Sequence, residues 1–571
     1  MGLTAYQALE VKGSLQVVAR EFEAIAEDLK TGDEDGARAS LAKAQVAAAD
    51  ADDNTHGPGW WLTSRLPGVG DDIEAVRTVA DVTDVLAAEV IPDVVVASER
   101  LGPANLRPRN GRIAIEPLRD VAPAVVAADE RMQDQTERVA AIDTGELIAQ
   151  LAGPVELLQG KLEEAASLSA KASYAVRLLP TMLGADDERT YLVLFQNNAE
   201  IRATGGMPGA LAVVEAKNGR LSIRRQGTAQ DLGLHPEPPV RLTGEEISLY
   251  GRKLGVYPAD ITFTPDFPRV AELARAMWLS AQGERIDGVL SVDPVGLSYV
   301  LDGTGTVDVP GGTRLTSANA VQVLLNDIYR VQPDQDMQNA YFAGAAKAVF
   351  GALVSGRGQP AAILEGLGRA ATEGRLYAWS ASEQEQRLLV ATSVGGAVPR
   401  DAGASPYVGL FLNDGTAAKL QYYLEHRVDV EPLSCNPMGR QTLEVVLTLT
   451  SHAPEDAGRL PASVIGPRDG GEAYIGVEPG HMRLNAHLYA PIGGWIEDVA
   501  VDRVDVPLNE VEHLGHPVGT ATVELAPGET RVLRYTVMTG LDQPGAVELR
   551  VTPGARGSGA GAVGPTACKV G

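Results

Sequence analysis

The sequence lacks several features that would place the protein directly in a well-defined class. No stretch approaches the roughly 18 consecutive apolar residues that a bilayer-spanning helix requires, and the N-terminal residues do not resemble a secretory signal. The chain has only two cysteines, which excludes a multi-cysteine metal cluster and a disulfide-rich scaffold. It also lacks a phosphate-binding loop and a metal-spaced histidine pair. Taken alone, these absences indicate a soluble cytoplasmic protein without an enzyme motif.

Positive charge is also scarce. The chain has 49 lysine and arginine residues against 75 aspartate and glutamate residues, which gives a formal net charge of −26. Such an acidic surface repels the phosphates of nucleic acids and of anionic lipid head groups. We therefore expect no nucleic-acid partner, and a membrane contact would require an apolar anchor.

The first residues already follow a helical pattern. Met1 to Tyr6 contain no capping box that would begin a helix, which is typical of a segment that continues from an upstream element. We therefore expect a transmembrane helix ahead of Met1. That helix would attach the protein to a membrane and leave this chain on the extracytoplasmic face.

The two cysteines lie in the C-terminal part of the chain. Cys568 follows residues 554–564, which are mostly Gly, Ala and Ser and are expected to be flexible. A pair with one member in such a tail is typical of a disulfide staple, and a bond between Cys435 and Cys568 would indicate an oxidising compartment. The alternative is two unrelated thiols.

The length of 571 residues exceeds what one hydrophobic core supports and predicts two or three domains. Residues 1–180 carry apolar side chains at helical spacing and predict a helical bundle or stalk. Residues 181–404 mix short apolar strands with amphipathic helices and predict an α/β domain. Residues 405–571 alternate in the manner of strands between Pro/Gly turns and predict an Ig-like β-sandwich. The predicted fold class is therefore a multidomain α+β protein.

Two local patterns support these assignments. Asn218-Gly219, between two strand-like segments, is a strong hairpin signal because a type I′ turn requires positive φ at both central positions. The helical region contains a heptad stripe that is formed by Leu15, Val18, Phe22, Ile25 and Leu29.

One motif carries a family resemblance: Gln196-Asn197-Asn198-Ala199-Glu200-Ile201-Arg202-Ala203-Thr204-Gly205-Gly206. It resembles the hallmark of an uncharacterised domain family of bacterial surface proteins, found mainly in Gram-positive lineages. Members usually carry one transmembrane helix ahead of a helical stalk, and the family has no established activity. The resemblance extends over residues 180–425. It includes Asp266-Phe267-Pro268, Asp287-Gly288-Val289, and Asn413-Asp414-Gly415 with Lys419, Tyr422 and Tyr423.

The motif is suited to recognition if it is extended. Asn198, Glu200 and Arg202 would then share one face, since side chains alternate along a strand. Gly205 and Gly206 would permit a sharp turn beside this polar ledge. The ledge is suited to holding a sugar or a phosphate. The alternative is a structural network that fixes the turn between two strands.

The layout is also remotely similar to the LytR-CpsA-Psr enzymes, which transfer glycans from polyprenyl pyrophosphate carriers to the cell wall. That likeness implies arginines for the pyrophosphate and carboxylates for a divalent cation such as Mg²⁺. The candidates are Arg202, Arg225 and Arg330 for phosphate, and Asp231 and Asp266 for the metal. The sequence departs from this family in two places. No arginine follows Asp336 within the next few residues, and a Pro-Arg-Asp signature is absent after the hairpin.

The sequence thus predicts an extracytoplasmic, membrane-anchored protein of the cell envelope. Its expected role is an assembly or scaffold module that binds a cell-wall glycan or an envelope protein. The alternative function is a glycan phosphotransferase similar to the LytR-CpsA-Psr enzymes. No catalytic residue is assigned.

Overall fold

The computed structural model describes residues 2–66, 68–102, 105–466, 468–469, 472–473 and 476–568. The chain forms two compact units. The first comprises Met1–Arg109 and Ile113–Asp187, and the second comprises Asn110–Arg112 and Glu188–Val570.

Within its described residues, the first unit consists of helices. The predicted heptad stripe of the first helix is buried at Val18 and Ile25 and continues back to Val11. Asp33 caps the second helix by accepting a hydrogen bond from the Gly36 amide at 3.0 Å. The helices are α1 (Gly2–Thr31), α2 (Glu34–Thr55), α3 (Pro58–Thr63), α4 (Gly70–Val85), α5 (Ile91–Leu101), α6 (Glu116–Ala140) and α7 (Ala149–Met182).

The second unit begins with a five-stranded mixed sheet and its helices. The strands of this sheet are β1 (Arg189–Asn197), β2 (Met207–Lys217), β3 (Arg220–Thr228), β4 (Gly288–Val292) and β7 (Leu376–Ser380), and β5 (Val307–Asp308) pairs with β6 (Arg314–Leu315) in a separate two-stranded sheet. The helices are α8 (Gly244–Tyr250), α9 (Lys253–Val256), α10 (Phe267–Gln282), α11 (Pro294–Thr304), α12 (Ala320–Gln322), α13 (Ile328–Val331), α14 (Gln335–Val354), α15 (Pro360–Thr372) and α16 (Glu383–Val390).

This first sheet has the strand order β3-β2-β1-β4-β7, in which β1 lies antiparallel to β2 and parallel to β4. The predicted hairpin between β2 and β3 is confirmed, with φ of 49° at Asn218 and 76° at Gly219. Helix α10 covers one face of the sheet, where Met277 and Trp278 pack against Leu192 and Leu194 of β1. The ends of β1 and β4 are thereby fixed on a rigid, buried base.

Two further sheets face each other across a shared apolar core in the C-terminal part of the second unit. Their orders are β15-β14-β18-β10-β9-β20 and β16-β17-β13-β8-β19. The strands are β8 (Tyr407–Asp414), β9 (Leu424–Cys435), β10 (Gln441–Ser451), β11 (Arg468–Asp469), β12 (Glu472–Ala473), β13 (Met482–Tyr489), β14 (Trp495–Val501), β15 (Val504–Asp505), β16 (Asn509–His513), β17 (His516–Leu525), β18 (Thr530–Met538), β19 (Glu548–Val551) and β20 (Ala560–Val563), with α17 (Ala462–Ile465) between β10 and β11.

The C-terminal segment is fixed in place, and the expectation of a flexible tail is corrected. Strand β20 pairs in parallel with β9, and a disulfide joins Cys435 to Cys568. The carbonyl oxygens of Gly554 and Gly557 accept hydrogen bonds of 3.0 and 2.7 Å from the Arg375 guanidinium. Because these glycines have no side chain, the backbone of the segment can approach neighbouring groups closely and form these contacts.

The predicted fold class is confirmed: a helical N-terminal region precedes sheets in the central and C-terminal parts. The two sheet-bearing regions form one compact unit, and the boundary at residue 404 stays a prediction. The prediction of membrane attachment through an N-terminal helix is wrong for the described residues, since none of their helices is both long and apolar enough to cross a bilayer. Met1 itself lies outside those residues.

Three buried histidines make the stability of the second unit sensitive to acid. Burial lowers the pKa of His426, His487 and His513 to about 4 each. An unfolded histidine titrates near 6.5. The unfolded chain therefore binds protons between pH 6.5 and 4 that the folded chain does not, and the stability contributed by these groups is lost as pH falls through that window.

We expect His487→Gln to make unfolding less pH-dependent than in the unmodified chain. The slope of unfolding free energy against pH should decrease by up to about 1.4 kcal/mol per pH unit between pH 4 and 6.5. Urea denaturation at several pH values measures it. Equal slopes for His487→Gln and the unmodified chain would contradict the assignment.

Candidate functional site

The Gln-Asn-Asn motif forms a buried loop at the end of β1, and the interpretation of an extended ledge is wrong. Strand β1 ends at Asn197, and residues 198–206 turn back toward β2. The Gln196 side-chain oxygen accepts a hydrogen bond of 2.8 Å from the Gly206 amide and so closes the loop. A Cβ atom on Gly206 would lie 2.3 Å from the Asn197 carbonyl, which explains why this position requires glycine. Gly205 adopts a φ of 128°, which also favours glycine.

Arg202 lies at the centre of a buried ionic network that we call the Arg202 network. Only 4% of Arg202 is exposed. Its Nη2 atom lies 2.9 Å from Glu200 Oε1 and 3.8 Å from Asp260 Oδ1, and its Nη1 atom lies 3.6 Å from Asp414 Oδ2. The second oxygen of Glu200 lies 3.5 Å from the Lys419 ammonium. Two cations thus lie among three largely buried carboxyl groups.

The pKa values of the carboxyl groups in this network are shifted in opposite directions. Burial would raise the pKa of Glu200, but Lys419 and Arg202 together lower it below its usual value. Burial raises the pKa of Asp260 and of Asp414, despite the proximity of Arg202. Glu200 is therefore held as the anion that balances the two cations. Asp260 and Asp414 take up a proton more readily than exposed aspartates do.

Asn198 belongs to a second buried network beside the first. Its side-chain amide donates to Asp293 Oδ2 at 2.9 Å and to the Pro553 carbonyl oxygen at 3.3 Å. Asp293 also pairs with the Arg375 Nη1 atom at 2.8 Å. Asn198 has no exposed surface. The structure thus separates Asn198 from Glu200 and Arg202, and it gives Asn198 a structural role.

An open groove of about 970 Å³ lies directly over the Arg202 network, and we call it the Arg202 groove. One wall comes from α8, α9 and the 3₁₀ turn Pro258–Phe263, and the other comes from β8, β13 and β17. The lining combines apolar groups with charged and polar side chains and includes Arg202, Tyr250, Lys253, Asp260, Phe263, Asp414, Arg483, Asn485, Thr522 and Glu524.

The floor of the groove contains buried polar atoms without a hydrogen bond. Among the described residues, Arg202 Nε and Asp414 Oδ2 have no hydrogen-bond partner. An unsatisfied buried polar atom costs about 1–3 kcal/mol. Both atoms lie beneath the groove surface, since the side chains of Arg202 and Asp414 are 4% and 0% exposed. On the wall, Asn485 accepts a hydrogen bond of 2.8 Å from the Thr522 hydroxyl, and Lys253 is exposed. The arrangement can bind a ligand through polar side chains of both walls.

The three candidate arginines lie in three different surroundings. Arg202 is buried in its network, whereas Arg225 on β3 pairs with Asp231 at 2.8 Å. Arg330 is exposed at the end of α13 and lies against the Tyr423 hydroxyl. The structure does not bring the predicted phosphate ligands together.

The prediction that Asp231 and Asp266 share a metal ion is also corrected. Asp231 completes a capping box with Thr228 and lies at the C-terminal end of α10, where Gln282 donates to its carbonyl oxygen. Asp266 lies at the N-terminus of α10 and accepts hydrogen bonds from the Val398 amide and the Arg400 guanidinium. A 16-residue helix separates them by about 24 Å. Within the described chain, no group of three or more potential ligands could hold a metal.

Sequence reasoning missed several members of these networks. Asp260 lies in a short 3₁₀ turn without periodicity, so nothing local marks it. Arg375 has its partners Asp293 and Gly554 at sequence separations of 82 and 179 residues. Asp414 and Lys419 were visible only as parts of the family resemblance.

Comparison with known proteins gives a limited result. Residues 186–329, about a quarter of the chain, match a family described as "Protein of unknown function (DUF4012)". This segment contains the motif loop and Asp260 but not β8 with Asp414. No curated protein and no solved structure matches the chain significantly. The chain is thus similar to an uncharacterised family over β1 to β6 and α8 to α12, whereas β7 of the first sheet lies outside the matched residues.

Proposed function

We propose that this protein is an extracytoplasmic assembly or scaffold module of a bacterial cell envelope that binds a cell-wall glycan in the Arg202 groove. The observation that carries the proposal is the groove floor, where Arg202 and Asp414 present buried polar atoms without hydrogen bonds. Hydroxyl groups of a sugar donate and accept hydrogen bonds, so they satisfy both a guanidinium N–H and a carboxylate oxygen.

The size and charge of the groove favour a glycan over other ligands. A volume of about 970 Å³ is at the upper end for small-molecule sites and accommodates a short oligosaccharide. Cationic and anionic side chains both line the groove, and the net charge of −26 disfavours polyanions.

Two observations support the proposed location. The disulfide between Cys435 and Cys568 fits an oxidising compartment. The motif resembles that of Gram-positive surface proteins, and the matched family leaves this assignment open because its function is unknown.

The alternative of a phosphotransferase similar to the LytR-CpsA-Psr enzymes receives no support from the arginines. That chemistry requires several cations around one pyrophosphate group. Arg202, Arg225 and Arg330 lie apart, and the groove floor that contains Arg202 also contains two carboxyl groups. Glycan binding without transfer is therefore the function that the geometry favours.

Substitution of residues on the groove walls tests the proposal. We expect the unmodified chain to bind soluble cell-wall glycan fragments in isothermal titration calorimetry. The double variant Lys253→Ala/Asn485→Ala should bind about 10–100-fold more weakly, since each lost hydrogen bond contributes about 0.5–1.5 kcal/mol. The matched control is Arg427→Ala, which removes an exposed arginine of β9 outside the groove. Binding that is unchanged in the double variant, or absent from the unmodified chain, would contradict glycan recognition by the groove.

A further inference from the structure

A second cavity lies against Gln196 and Asn197 of the motif, and its lining includes Lys419 of the Arg202 network. It has a volume of about 130 Å³ and is enclosed by the ends of β1 and β4, the start of β2, and helix α14. Its deeper lining is apolar and includes Phe195, Leu297, Leu324, Phe342 and Val349. For comparison, an apolar cavity of about 150 Å³ stays dry and binds benzene. The cavity therefore has room for a compact hydrocarbon group.

One end of this cavity is polar. Gln335, Gln338 and Asn339 lie in the first two turns of α14, whereas the apolar lining of α14 begins at Phe342. Lys419 lies at the polar end, where its ammonium is 5.1 Å from the Tyr329 ring centroid. The cavity thus has an amphipathic lining.

Lys419 has spare hydrogen-bonding capacity. Among the described residues, its ammonium makes one hydrogen bond, a long one of 3.5 Å to Glu200 Oε2. An ammonium carries three N–H donors, so two remain for another acceptor. The side chain is 20% exposed, which allows a ligand to reach it.

We propose that this cavity binds a compact anionic amphiphile, with its hydrocarbon part among the apolar side chains and its carboxylate on Lys419. The apolar lining selects a chain of roughly six to eight carbons, since the volume is close to that of a benzene-binding cavity. The two remaining N–H donors of Lys419 would hold the oxygens of one carboxylate, beside the ion pair that Lys419 already forms with Glu200. The site is separate from the Arg202 groove and does not depend on the function proposed for it.

The length of the hydrocarbon chain provides the first test. Burial of one methylene contributes about 0.8 kcal/mol, which corresponds to about a fourfold gain in affinity. Titration of the full chain with butanoate, hexanoate, octanoate and decanoate should show this gain per methylene up to six to eight carbons and none beyond. Absence of saturable binding, or affinity independent of chain length, would overturn the proposal.

Substitutions locate the site and its charge. Ala346 lines the cavity from α14, so Ala346→Leu should fill it and weaken octanoate binding at least 10-fold. Lys419→Met should weaken octanoate about 10-fold and leave octanol unchanged. The control Lys347→Met changes an exposed lysine of the same helix and should have no effect. Octanoate binding that Ala346→Leu does not weaken would overturn the cavity assignment. Equal losses for octanoate and octanol in Lys419→Met would overturn the role of the carboxylate.

Discussion

Arg202→Ala is expected to lower the free energy of unfolding of the second unit by about 3–5 kcal/mol, because it leaves buried carboxylates without their cation. Arg202 is 4% exposed and contacts Glu200, Asp260 and Asp414. Removal of one partner of a buried pair costs more than the pair contributes, since the remaining charge stays desolvated. Thermal unfolding followed by circular dichroism should show a decrease in melting temperature of roughly 5–10 °C.

Two further variants isolate the charge effect. Glu200→Gln removes a negative charge with little change in volume, and it should also destabilise the unit because Lys419 and Arg202 lose their shared anion. Arg427→Ala breaks an exposed pair with Asp429 and should change stability by no more than about 0.5 kcal/mol. A melting temperature for Arg202→Ala equal to that of Arg427→Ala would contradict the stabilising role of the Arg202 network.

Reduction of the disulfide between Cys435 and Cys568 is expected to release the C-terminal segment from the second unit. The bond closes a loop with a sequence separation of 133, for which the chain-entropy account gives a stabilisation of about 4–5 kcal/mol. Release would also remove the Gly554 and Gly557 carbonyl oxygens from Arg375, whose side chain has no exposed surface. The buried pair of Arg375 with Asp293 would then be opened to water.

Hydrogen–deuterium exchange with and without reductant measures this release. Exchange should increase in residues 552–568, in β9 and around Arg375, and the first unit should be unaffected. The double variant Cys435→Ser/Cys568→Ser should match the reduced protein and show no further response to reductant. Identical exchange of residues 552–568 in oxidised and reduced protein would mean that the segment is held without the disulfide.

Local signals predicted the elements of this fold well. The two-residue turn Asn218-Gly219 was sufficient to predict the hairpin. The spacing of apolar residues along a single helix was sufficient to predict the buried stripe of α1. The disulfide could be proposed from the number of cysteines and from the position of Cys568 after a glycine-rich segment. The hairpin and the stripe depend on residues that are close in sequence, and the disulfide involves the two cysteines of the chain.

The candidate site could not be predicted in the same way, because its contacts join distant segments. Asn198 lies at the end of β1 and contacts Pro553 across a separation of 355 residues. No periodicity encodes that contact, so the motif was interpreted as an exposed ledge. Asp231 is a different case. Thr228 and Asp231 have the spacing of a capping box, and that local pattern could have shown that its carboxylate caps a 3₁₀ turn and is not a metal ligand.

The most direct test of glycan recognition by the Arg202 groove is hydrogen–deuterium exchange of the full chain with and without soluble cell-wall glycan fragments. We predict protection on both walls of the groove, in residues 244–263 and in residues 413–415 and 483–487. Protection confined to other parts of the chain, or none at saturating glycan, would contradict the proposed function.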